Sequence, residues 1–184
     1  MSATATDAKS LPIHLGVAEQ GKLYALNGQA PLALSYFREA LRLAQDAQEA
    51  EMFARHYSEC AVETMETMGG FDEVIAYCDR LIDHYRAMTE LNDFARKDLA
   101  HAHQRRAMAL LKKGDSEAAR EALETALQTF SELPLAKAVH RWLVTGLHIT
   151  PERVSAEQKR QHYFSIRPET VNPAAAVRIP ALEP

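Results

Sequence analysis

A chain of 184 residues with 47% apolar content is long enough for one domain and a tail, and it buries a real core. A net charge of −4 and a pI near 6.1 exclude a general nucleic-acid binder, which needs a strongly basic face. No stretch approaches the roughly 18 apolar residues that would span a bilayer, so no membrane association is expected.

Residues 1–10 are small and polar and predict a flexible N-terminal arm. They lack a basic region followed by a long apolar run, so no secretory signal is expected and the location is expected to be cytoplasmic. From Leu11 to about Thr150 the strong helix formers Ala, Leu, Glu, Gln and Arg dominate. The pattern predicts helices over about 12–27, 30–47, 49–68, 71–88, 92–113, 116–131 and 134–147, then a short one over about 151–163. Gly28, Gly69-Gly70 and Gly114 fall at the junctions, where glycine accepts the left-handed backbone that closes a helix. Asn92 and Asp115 (or Ser116) suit N-caps, and Pro151 suits the first position of the last helix. After Ser165 the chain holds four of its eight prolines, at 168, 173, 180 and 184, which forbid a long helix and favour extended backbone. Val171, Val177, Ile179 and Leu182 make this end more apolar than a solvating tail. It is therefore expected to make an ordered contact with its own repeats or with another subunit; the alternative is a solvated end. The expected division is 1–10 arm, 11–148 helical array with its capping helix, 149–165 short helix and 166–184 extended Pro-rich tail.

Gly28, Gly69 and Gly114 stand 41 and 45 residues apart. Seven residues before them are Gly21, Val62 and Ala107; four before are Tyr24, Met65 and Leu110. Five after are Ala33, Val74 and Ala119; nine after are Phe37, Cys78 and Leu123; then come Ala40-Leu41, Leu81-Ile82 and Ala126-Leu127. Small residues where helices cross let backbones approach, and larger apolar ones fill the adjacent holes. One hairpin cannot bury its apolar face alone, so neighbours must stack.

Over about residues 14–130 this pattern resembles the tetratricopeptide repeat (TPR) family. The first copy carries it most fully, with Gly21, Tyr24, Gly28, Ala33, Phe37 and Ala40. The second puts Cys78, and the third Leu123, where the family has an aromatic residue. The spacing also exceeds the family's usual unit of about 34 residues. The resemblance implies an all-α, right-handed superhelix of about three helical hairpins, with the helix near 134–147 as a cap and Trp142 in that contact.

It further implies that the first helix of each pair lines a concave groove for a protein or peptide. The positions that match are Leu15, Lys22 and Leu26, then His56, Glu59, Glu63 and Glu66, then His101, Gln104, Met108 and Lys112. Glu59, Glu63 and Glu66 share one helix face and would favour a partner with a basic segment, or form a solvated face that contacts nothing. Ala18, Lys22, Glu59 and Glu63 are not the Lys/Asn clamp with which relatives grip acidic chaperone tails, so that partner is not expected.

His56 and Cys60 lie four apart, yet no second matched pair completes a metal site. No nucleophile elbow, phosphate-cradling loop or paired-cysteine motif occurs. Cys60 and Cys78 are expected in the core. The implied function is a non-enzymatic adaptor or scaffold without cofactor. The alternatives are a dedicated chaperone for a secreted or assembled substrate, a regulatory subunit of an enzyme or transcription factor, and, from another class, an enzyme.

Overall fold

A computed structural model describes residues 12–183, so the arm at 1–10 lies outside the described residues. Helices account for all the regular elements found among them. They are α1 (Ile13–Leu26), α2 (Ala30–Asp46), α3 (Ala50–Thr67), α4 (Phe71–Arg86), α5 (Asp93–Lys113), α6 (Ser116–Thr129), α7 (Pro134–Val144) and α8 (Pro151–Arg160). Short 3-10 turns follow at Pro168–Thr170, Pro173–Ala175 and Pro180–Leu182. Each opens on a proline, whose fixed φ suits the first position of a turn and whose missing N–H is not needed there.

The junction glycines close the helices as expected. Gly28, Gly69 and Gly114 have φ of 74°, 84° and 90°. Gly146, which the sequence pattern left unmarked, does the same after α7 with φ 69°. Asn92 Oδ1 accepts from the Ala95 N–H at 2.8 Å, and Asp115 Oδ1 from the Ala118 N–H at 3.1 Å. Each satisfies a backbone donor that the first helical turn leaves open.

The chain forms two compact units: the described residues up to Thr64 together with those from Ile166 on, and Met65–Ser165. In the first unit α1 and α2 pair as a hairpin, with the first part of α3 completing the helical part. Val17, Ala18, Tyr24, Ala33, Tyr36, Phe37, Ala40, Ala44, Tyr57 and Cys60 form its core. Gly21 lets α1 and α2 touch: a Cβ there would meet the Phe37 ring at 2.8 Å and Tyr36 Cβ at 3.1 Å. In the second unit α5 packs against α4, α6 and α8, which explains why it is buried around most of its circumference. Its larger core gathers Ala107, Met108, Leu111, Ala119, Leu123, Ala126, Leu135, Val139 and Val154. Trp142 packs against this core with the Arg153 guanidinium 5.3 Å over its ring.

The repeated positions do what their spacing requires. Val62, Ala107, Ala33, Val74, Ala119, Phe37, Leu123 and Cys78 are all buried, and Cys60 and Cys78 form no disulfide. Burial pushes the Cys60 thiol up to about 12, which makes it an inert core residue. No helix among the described residues is long and apolar enough to cross a membrane.

Candidate functional site

In the first unit the helices present their surface to the chain's own C-terminal segment. Ile166, Val177, Ile179 and Leu182 pack against the core of α1 and α2. The backbone of this segment is read at four points. The Ile166 N–H donates to Glu63 Oε2 at 3.0 Å, and the Asn172 N–H to Glu19 Oε2 at 2.7 Å. The Val177 N–H donates to the Gly16 carbonyl at 2.9 Å, and the Ile179 N–H to the Tyr36 hydroxyl at 2.9 Å. At Gly16 the segment lies so close to α1 that a Cβ would stand 2.5 Å from Val177 Cγ2 and 2.7 Å from the Ala175 carbonyl oxygen.

Glu183 fastens the far part of the segment. Glu183 Oε1 accepts from the Tyr24 hydroxyl at 2.5 Å and the Tyr36 hydroxyl at 2.9 Å. Hydrogen bonds to an ionised acceptor favour the charged form, so Tyr24, and then Tyr36, hold Glu183 below its ordinary value of 4.5, with Arg178 nearby adding to the effect. Burial is the main cause that pushes the Tyr36 hydroxyl up to about 12.

The sign of the pH dependence follows. A carboxylate depressed by docking contributes its stabilisation above about pH 4.5, and that contribution is lost as the pH falls through the depressed value. Acidification below about 4.5 is therefore expected to loosen residues 179–183, read as a change in the NMR shifts of Ile179 and Leu182. Glu183→Gln is expected to show the loosened shifts already at neutral pH.

The positions implied by the resemblance fall into two groups. In the first unit Leu26 is exposed and His56 is half-buried, its imidazole 3.8 Å from Cys60 Sγ. Burial, with Lys22 nearby, pushes His56 below its usual range. Glu59 is half-buried and pairs with Arg55 at 2.8 Å. Lys22 is buried and donates to Glu19 Oε1 at 2.7 Å, the same carboxylate that receives the tail at Asn172. Glu63 is buried beneath the start of the tail.

In the second unit the positions are mostly interior. Glu66 is buried, accepting from Lys112 Nζ at 2.8 Å and Gln158 Nε2 at 2.7 Å. Lys112 also lies over the rings of Phe71 and Phe164, at 5.9 and 5.8 Å. Gln104 is buried and its Oε1 accepts from the Ala136 N–H at 3.0 Å. That N–H is in the first turn of α7, whose N-cap residue Leu133 has no side-chain acceptor to offer. Met108 is wholly buried, while His101 is half-buried. The structure thus corrects the acidic stripe. Glu63 and Glu66 do not face outward beside Glu59, because α8 and the tail bring donors that bury both carboxylates. Gln104 and Met108 likewise sit within the second unit rather than on an open face.

Replacing Gln104 with Leu would leave the Ala136 N–H buried without an acceptor. The expected cost is about 1–3 kcal/mol, read from the urea midpoint.

Spacing alone missed Gly16, Glu19, Tyr36, Gln158 and Glu183. Gly16 carried a signal, since a glycine inside a helix with no turn to make implies a close approach. A second missed feature is His14, buried with its Nδ1 2.6 Å from the Tyr57 hydroxyl and its Nε2 2.6 Å from Glu49 Oε2. It fastens α1 to α3 with the imidazole packed 4.9 Å from the Phe53 ring. Among the described residues no group of three or more His, Cys, Asp or Glu is placed to hold a metal ion.

Residues 100–130, which are most of α5 with all of α6, match the tetratricopeptide repeat family. The match falls on the third copy, although the first carries more of the family's small and aromatic residues. No curated protein and no solved structure matches the chain. Repeats of this family serve protein–protein interaction. The family match in α5 and α6, the helical hairpins and the glycine-closed turns together make this chain a TPR-like helical-repeat protein.

Proposed function

We propose that the chain is a non-enzymatic cytoplasmic adaptor that holds a proline-rich segment of a protein partner on the face of its first unit. The observation that carries this reading is the seat of residues 166–183. Helical groups receive four backbone N–H donors of a segment whose 3-10 turns alternate with short extended stretches, and a strip of core-facing apolar side chains anchors it. A surface that satisfies main-chain donors while burying alternate side chains binds peptides by a general mode. Leu26, His56 and Glu59 on α1 and α3 lie at or near the surface of the same unit and would contact the partner's flanks. The test is affinity purification of the full chain from its native host, with mass spectrometry and measured binding of the purified candidate. A stoichiometric protein partner that protects α1 and α3 from hydrogen exchange is the expected result. Substrate turnover by the purified chain without a partner would contradict it.

A further inference from the structure

The seat of the tail has a chemistry specific enough to name what else fits it. Along the segment, Val177 and Ile179 point apolar surface at the helical core, Pro180 opens a 3-10 turn, and Leu182 packs after it. Glu183 then reaches two buried tyrosine hydroxyls. Each requirement is met by a different feature of the helices. Gly16 removes the side chain that would block the backbone between residues 175 and 177. The Tyr36 hydroxyl accepts from Ile179 N–H and donates to the Glu183 carboxylate, so it reads main chain and charge together. Tyr24 lies edge-on to Tyr36 with ring centroids 5.1 Å apart, which fixes both hydroxyls on one point.

We infer that this seat is the partner's own docking site. The partner segment shares the tail's chemistry: apolar residues at alternate positions leading into a proline-opened 3-10 turn, and a carboxylate three residues after that proline. The inference rests on the interaction reading above and specifies its partner. The tail then acts as the competitor in cis. A tethered segment presents itself at an effective concentration in the millimolar range, so a partner must outbind it or arrive when it is released. Nothing in the seat needs a basic partner, because the helical groups are donors where the peptide is acidic and acceptors where it offers N–H.

The experiment uses full-length chains and a labelled synthetic peptide of residues 171–184. One chain is unaltered; the other carries Val177→Asp, Ile179→Asp, Leu182→Asp and Glu183→Lys, which disable its own tail. The peptide is expected to bind the disabled chain at least about tenfold more tightly than the unaltered one. A peptide with Glu183→Gln, or the disabled chain with Tyr24→Phe and Tyr36→Phe, is expected to lose about tenfold or more of that affinity. A protein captured by the disabled chain is expected to elute with the peptide but not with its Gln form. Equal peptide binding by both chains overturns the inference, as does loss of cooperative unfolding in the disabled chain, which would make the tail part of the fold. A unaltered chain of dimeric mass that becomes monomeric when its tail is disabled also overturns it, by assigning the seat to the tail of a second copy. Each of these results removes the seat as the partner's site, while the capture experiment above reads separately whether the chain binds a protein at all.

Discussion

Lys112→Met is expected to destabilise the second unit by about 3–5 kcal/mol, the largest effect of any single substitution considered. The Lys112 and Glu66 side chains are 5% and 0% exposed, so removing the ammonium strands a carboxylate that water does not reach. Gln158 still donates to Glu66 Oε1, but Oε2 meets no donor among the described residues. A neutral amide on one oxygen does not replace a counter-charge. The same reasoning predicts that Lys112→Met combined with Glu66→Leu recovers most of the loss, because two apolar side chains need neither partner. Urea denaturation of the single and double variants makes the comparison. A single-variant cost below about 1 kcal/mol would mean that the pair is solvated, as surface pairs are.

Gly16→Ala separates the tail from the helix that carries it. In α1 the added methyl favours the helix by up to about 1 kcal/mol, since alanine loses less backbone entropy than glycine. Against the tail it is a collision, with Val177 Cγ2 at 2.5 Å and a backbone carbonyl oxygen at 2.7 Å. The carbonyl is the harder obstacle, because moving it shifts the peptide rather than a rotamer. The variant is expected to keep or raise the stability of α1 while the Val177 and Ile179 amides exchange at least about tenfold faster. Unchanged exchange at those two amides would place the tail elsewhere.

The helical layout was legible because its signals are local. The glycines at 28, 69 and 114 adopt the left-handed backbone their positions imply, and the helix ends fall within a few residues of the pattern's limits. Small residues at 33, 107, 119 and 126 mark helix crossings by size alone, and all four are buried. The burial of the acidic positions was less legible because charge on one helix does not reveal what covers it. Glu59, Glu63 and Glu66 share a face of α3, yet the groups that bury the last two come from residues 158 and 166, about a hundred positions away. Long-range pairing of this kind leaves no periodic trace. The tail's apolar residues predicted a contact, but its site depended on Gly16, whose meaning appears only when Val177 is placed against it. Glu183 was legible only as a charge near the end; its role needed Tyr24 and Tyr36 together.

Amide exchange along residues 166–183 of the unaltered chain tests the central claim most directly. If the tail is seated on α1 and α2 of its own chain, Asn172, Val177 and Ile179 exchange at least about tenfold more slowly than in a free peptide of residues 171–184, at every protein concentration. Exchange at the free-peptide rate, or protection that vanishes on dilution, would contradict it.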